Sequence, residues 1–190
     1  RFFTKRDERV LDPMNGVGGT LLGCALCERE GIGIELNPEW TEIYRNVCKK
    51  VGLKEFNVIT GDCLDVLDDI ESGSIDFVVV DPPYREDTRW ERTMCNSTYV
   101  TRIANVPERF STSERDFGNI MNYSHFLAKA LLLSRKIKRV LKEGRYFVVF
   151  CKDEYQKGEF REKSSSMAQI IAKAGFQWKG KITWYQAGAK

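Results

Sequence analysis

The first 84 residues alternate short apolar runs with amphipathic stretches, and this rhythm predicts a series of strand and helix units. Residues 9–11 predict a strand ending at Asp12, residues 20–30 (TLLGCALCERE) a helix, and residues 31–35 (GIGIE) a second strand. Pro38 stands where a helix begins, since proline is tolerated in a first turn. That helix runs through Trp40, Ile43, Tyr44 and Val47 to Val51 and stops at Gly52. A third strand is expected over 56–60, a short helix over 64–70 and a fourth strand over 75–80 (IDFVVV). The fourth is almost uniformly apolar, as suits a central parallel strand covered on both faces. Strands separated by crossover helices imply an α/β fold, a doubly wound and mainly parallel sheet.

From residue 85 to 118 the rhythm breaks into a polar stretch of 34 residues, a length that inside a compact domain is usually functional or disordered. It carries Arg85, Arg89, Arg92, Arg102, Arg109 and Arg115 with Trp90, Tyr99 and Phe110, a mixture suited to phosphate contacts and base stacking. Six acidic residues accompany them, so a self-paired, solvated loop is the alternative for any one arginine. The stretch is expected to be a target-recognition insertion in one domain spanning 1–190, mobile without nucleic acid. Regularity returns with a helix over 123–141, a strand over 146–151, a helix near 166–174 and a strand or hairpin over 176–185.

A chain of 190 residues buries a sizeable core unaided. Its mean hydropathy of −0.40 and the lack of any long apolar run argue against a membrane span. No apolar leader is visible at the start, and Arg1 in place of Met reads as a processed or excised segment. Six cysteines are too few to staple a domain of this size, which points to a reducing, intracellular setting. Cys24 and Cys27 form a C-x-x-C, but no second such pair follows and His125 is the single histidine, so they read as small apolar side chains and no metal is expected. The net charge of +3 hides an asymmetry: residues 1–84 hold 9 Lys and Arg against 16 Asp and Glu, and residues 135–190 hold 14 against 5. The basic end either faces a polyanion or forms solvated lysine-rich faces.

The turn from Asp12 to Thr20 (DPMNGVGGT) lies between the first strand and the first helix, where a doubly wound sheet binds ligands. Glycines there admit a ligand close to the backbone, and the helix start offers N–H groups to an anionic group. Glu35 ends the second strand, where a carboxylate can accept ribose hydroxyls; Asp62 follows the third, placed to receive an adenine amino group; Asp81 follows the fourth. Helix capping is the alternative for each acid singly, Asp62 above all. No Gly-Lys-Ser/Thr is present, and Leu21 stands where a dinucleotide fingerprint needs glycine, so a nucleoside without a pyrophosphate fits better.

Asp81-Pro82-Pro83-Tyr84 follows the fourth strand. The prolines fix the backbone so that the Pro82 carbonyl and the Asp81 carboxylate converge as two acceptors, which suits an exocyclic amino group. Holding both its protons turns the nitrogen lone pair out of conjugation and toward an electrophile. The Tyr84 ring supplies a flat face for a base rotated out of its stack. A Pro-Pro turn capping a strand is the plain structural alternative.

Together, DPMNGVGGT, IELNP, GDC and DPPY resemble the S-adenosylmethionine-dependent amino-methyltransferases of DNA, the N6-adenine and N4-cytosine group. The resemblance is strong over residues 9–84 and looser over 123–185, and it implies a Rossmann-like class I methyltransferase fold. By this likeness Asp12, Pro13, Gly16, Gly18 and Thr20 cradle the methionine part of the cofactor, Glu35 the ribose, and Leu36, Asp62 and Cys63 the adenine. Asp81, Pro82, Pro83 and Tyr84 hold the target base, with Asp81 also bordering the cofactor. The sequence departs from the family's DPFxGSGTT at Met14, Val17 and Gly19. The implied activity is direct in-line methylation of an amino group in DNA, adenine N6 first. RNA amino-methyltransferases carry similar tetrads, and a silent nucleic-acid-binding module is the alternative outside enzymes.

Overall fold

The computed structural model describes residues 2–83, 111–120, 122–156 and 158–183. The expected insertion therefore falls largely outside the described residues, as does Tyr84. The chain runs β1 (Arg9–Asp12), α1 (Gly19–Cys27), β2 (Glu30–Glu35), α2 (Pro38–Val51), β3 (Asn57–Thr60), α3 (Cys63–Asp69) and β4 (Ile75–Val80). After the insertion come a 3₁₀ turn (Phe117–Asn119), α4 (Tyr123–Val140), β5 (Leu141–Val149), the hairpin β6 (Glu154–Gln156) and β7 (Glu159–Arg161), and α5 (Lys163–Lys173).

Five parallel strands form the main sheet in the order β3-β2-β1-β4-β5. The chain first builds outward from β1 through β2 to β3, then crosses back to place β4 on the other side of β1. Successive side chains on a strand point to opposite faces. Accordingly Val10 packs with Leu21, Tyr44, Cys48 and Phe56 beside α1 and α2, whereas Leu11 joins Ile34, Val78, Leu133 and Ile137 on the face of α3 and α4. Both faces are thereby covered, which is why IDFVVV carries no polar residue after Asp76.

Three expectations need correction beyond β4. First, α4 ends at Val140 and β5 begins immediately at Leu141; it pairs with Ile75 there, shifts register and resumes with Tyr146 beside Phe77. The charged Lys142-Glu143-Gly144-Arg145 run, which reads as a helix end, is an irregularity within the strand, with Gly144 at φ +73°. Second, the polar loop after β5 contains the antiparallel hairpin β6-β7. Third, residues 176–183 are not a strand; Phe176 instead packs against Phe147 at 5.2 Å between ring centres. Residues 184 and 185 of that expected strand lie outside the described residues.

Part of the charge asymmetry is resolved inside the molecule. Lys136 pairs with Asp68 and Arg139 reaches Ser72 and the Leu67 carbonyl. Lys142 bonds Asp76 at 2.7 Å, and Arg145 meets Glu8 at 2.6 Å and Asp76 at 3.2 Å. Lys136, Lys142 and Arg145 of the basic second half thus pair with acids of the first half. Cys24 is buried and Cys27 half-buried, and the described cysteines are all free thiols. Among the described residues no helix is long and apolar enough to cross a membrane.

Asp76 is buried and also accepts the Arg9 N–H at 3.0 Å. Burial alone would raise its pKa, but the Lys142 bond, the Arg9 N–H and the nearby Arg145 outweigh it and hold the carboxyl below 3.8. Its stabilisation is therefore complete above pH 3.8 and is lost as pH falls through the lower folded value. Replacing Asp76 with Ala should lower stability by about 2 kcal/mol at pH 7, measured by urea unfolding, with the difference from wild type narrowing in strong acid.

Candidate active site

β1 and β4 are hydrogen-bonded neighbours, with Val10 beside Phe77 and Leu11 beside Val78, so their carboxyl ends leave the sheet side by side. In open α/β sheets the crevice forms where successive connections diverge to opposite sides, here between these two strands. Asp12 and Asp81 occupy the two ends, close enough that the Asp81 charge disfavours ionisation of Asp12.

The glycine turn is fixed at three points. Asp12 is buried; it accepts the Thr20 hydroxyl at 2.5 Å and the Met14 N–H at 3.0 Å. Burial nevertheless dominates and pushes its pKa up to about 6. Glu35, at the end of β2, accepts the Gly16 N–H at 2.7 Å and the Asn37 N–H at 2.8 Å, and the Asn15 N–H donates to the Ile34 carbonyl. At Gly18 the backbone is left-handed (φ +84°), and a Cβ there would stand 2.1 Å from the Tyr44 ring. Only glycine meets both conditions.

Several features fit a nucleoside-bearing ligand. α1 starts at Gly19 without a side-chain cap, so the first N–H groups of the helix remain available to an anionic group. The Asn15 Oδ1 is buried with no hydrogen-bond partner among the described residues. Glu35 accepts the Gly16 and Asn37 N–H groups on separate oxygens, and burial raises its pKa. Pro13 is fully buried beneath the turn, and Leu36 is half-buried beside Glu35.

Asp62 occupies a different station from the other three acids. One oxygen caps α3 by accepting the Leu64 N–H at 2.9 Å, the capping role weighed from sequence; the other faces Arg115 at 3.8 Å. Cys63 is buried, and burial pushes its thiol up to about 12, which leaves it no nucleophilic character at neutral pH.

Asp81 lies just past β4 and makes no hydrogen bond among the described residues; partial desolvation raises its pKa. Pro82 is buried and lines a small apolar cavity with Val80, Phe117, Phe126 and Phe147, while Asp81 beside it is exposed. Pro83 is half-buried. Among the described residues no three His, Cys, Asp or Glu side chains group as a metal site.

Sequence reasoning missed Asp116. It is buried and accepts the Gly118 N–H at 2.8 Å, and its charge contributes to raising the Glu35 pKa. The Asp-Phe-Gly spacing of a capped turn was a local signal, hidden among five other acids of the supposed loop.

Comparison with known proteins places these features in context. A tRNA (guanine(10)-N2)-dimethyltransferase of Methanothermobacter thermautotrophicus is 33% identical over 81 residues, 42% of this chain and 23% of that protein. The chain thus spans about a quarter of the length of the curated relatives it matches. A SAM-dependent methyltransferase from Aquifex aeolicus shares the fold with a TM-score of 0.55 at 16% identity, over 93% of this chain and 76% of that one. Another from Archaeoglobus fulgidus gives 0.54 at 15%, over 92% and 63%. These likenesses bear out the doubly wound, Rossmann-like methyltransferase fold. The model of the N6/N4 methyltransferase family, described as DNA methylase, matches residues 75–190, from β4 and the tetrad onward. With more than half of its residues under that match, the chain belongs to the N6/N4 DNA methylase family.

Proposed function

We propose that the chain methylates an exocyclic amino group of a nucleic-acid base with S-adenosylmethionine as donor. The observation that carries this reading is the adjacency of the glycine turn and the Asp81-Pro82-Pro83 corner at the ends of neighbouring parallel strands. Asp12, Pro13, Gly16, Gly18 and Thr20, with the uncapped start of α1, would hold the methionine part; Glu35 the ribose; and Leu36, Asp62 and Cys63 the adenine. The cofactor supplies an electrophilic methyl on a sulfonium. Asp81 and the Pro82 carbonyl accept the two amino protons of the base, which turns its nitrogen lone pair toward that methyl, and Tyr84 supplies a stacking face. The partly desolvated Asp81, unpaired among the described residues, is suited to this acceptor role.

DNA is the first substrate reading, supported by the family description, with adenine N6 suggested by the Asp-bearing tetrad. RNA is the second, supported by the names of the curated relatives. Incubation with tritiated S-adenosylmethionine and either genomic DNA or bulk tRNA separates them by which polymer is labelled. Label in neither, at any cofactor concentration, overturns the function.

Asp81→Ala should abolish transfer while cofactor affinity stays within about threefold, since the side chain polarises the amino group and only borders the cofactor. Surviving transfer would remove Asp81 from the reaction. Asp12 must be ionised to hold a cationic ammonium, and burial places its pKa at about 6. Cofactor affinity by calorimetry should therefore rise as pH increases through 6, and Asp12→Asn should flatten the profile. A wild-type affinity level from pH 5 to pH 7.5 would take Asp12 out of the site.

A further inference from the structure

Residues 113–120 form a strap that runs between α3 and the Pro-Pro corner. Arg115 bonds Asp65 on α3 and stands 3.8 Å from the Asp62 carboxylate, on the side assigned to adenine. Asp116, next along the strap, is buried and accepts the Gly118 N–H at 2.8 Å. Gly118 lies against the tetrad: a Cβ built on it would sit 3.3 Å from the Pro83 Cβ and 3.3 Å from the Asp116 carboxylate. The strap is pinned from behind by α4, where the Lys129 Nζ donates to the Arg115 carbonyl at 2.5 Å and stands 4.8 Å from the centre of the Phe117 ring. Phe117 in turn meets Phe126 edge-on at 6.0 Å.

We infer that this strap is a shared wall of the two pockets, in which Arg115 positions the cofactor's adenine side and Gly118 positions the base-holding tetrad. The inference rests on the functional reading above and deepens it. Its physical content is a division of labour along the four residues from Arg115 to Gly118. Arg115 ties the strap to α3 through Asp65 while keeping a cation beside Asp62, so its loss loosens the wall over the adenine side. Gly118 sets how closely the strap approaches Pro83. A methyl there is tight against both Pro83 and the Asp116 carboxylate, and a shift of Pro83 by a few tenths of an ångström would displace the stiff corner that carries Asp81. Small displacements of a positioning group are costly in rate and cheap in binding.

Two variants separate the halves of the wall, each compared with wild type for S-adenosylhomocysteine affinity by calorimetry, steady-state kinetics and melting temperature. Arg115→Ala should raise the cofactor KM and weaken S-adenosylhomocysteine binding about threefold, with a smaller effect on kcat, the modest size following from an exposed ion pair. Asp65→Asn should weaken binding in the same direction, and the double variant should add little. Gly118→Ala should lower kcat about tenfold and leave cofactor affinity within about twofold. In a short helical turn Gly→Ala is ordinarily neutral or stabilising, so a fall in kcat at an unchanged melting temperature marks positioning and not unfolding. Wild-type binding retained unchanged in Arg115→Ala, or a Gly118→Ala enzyme with wild-type kcat, overturns the inference and leaves the functional reading standing. A wild-type chain that binds no S-adenosylhomocysteine, or that labels neither DNA nor tRNA, sinks the functional reading and the inference with it.

Discussion

The parallel ladder between β1 and β4 is the constraint on which the rest of the molecule depends. Neighbouring strands in a sheet lie about 4.8 Å apart, so two loops that leave adjacent parallel strands at the same end cannot avoid each other. The ladder joins residues far apart in the chain, Val10 to Phe77 and Leu11 to Val78, and so brings two separate sequence signals side by side. Everything assigned to cofactor and base follows from that adjacency. The glycine turn supplies room and backbone donors; the Pro-Pro corner supplies rigidity and an acceptor.

The carboxylates around this crevice divide by environment. Asp12 and Glu35 hold the backbone of the turn and pay for burial with raised proton affinity, whereas Asp62 caps a helix and faces a guanidinium at 3.8 Å. Asp81 is left without such bonds among the described residues. A carboxylate with its lone pairs uncommitted is suited to meeting a new donor, and one with several backbone partners is suited to shaping the pocket.

The first four strands and three helices were legible because parallel strands buried on both faces must be apolar, and because Asn37-Pro38 and Gly52 mark helix ends unambiguously. The glycine turn, Glu35 and Asp81 stand at or just past strand ends, where the alternation of apolar runs had placed them. The start of β5 was not, since a charged run with glycine signals a helix stop as readily as a strand irregularity, and only the pairing of Leu141 with Ile75 decides between them. The hairpin β6-β7 escaped because its strands are three residues each and polar. Residues 113–120 read as loop for a related reason: Phe117 is one aromatic in a polar stretch, and its burial against Phe126 is a tertiary fact that no local period announces.

The opposed charges of the two halves have a consequence for assembly. α4 and the start of β5 carry Lys136, Arg139, Lys142 and Arg145 onto acids and carbonyls of α3, β4 and the segment before β1. A protease cut within the long polar stretch would leave an acidic amino-terminal fragment and a basic carboxy-terminal one, each exposing the mate of the other's sheet edge. Such pieces attract at long range before any apolar surface meets, so their recombination is steered by charge and slowed by salt. The polarity written along the chain is thus an address label by which its two ends find each other.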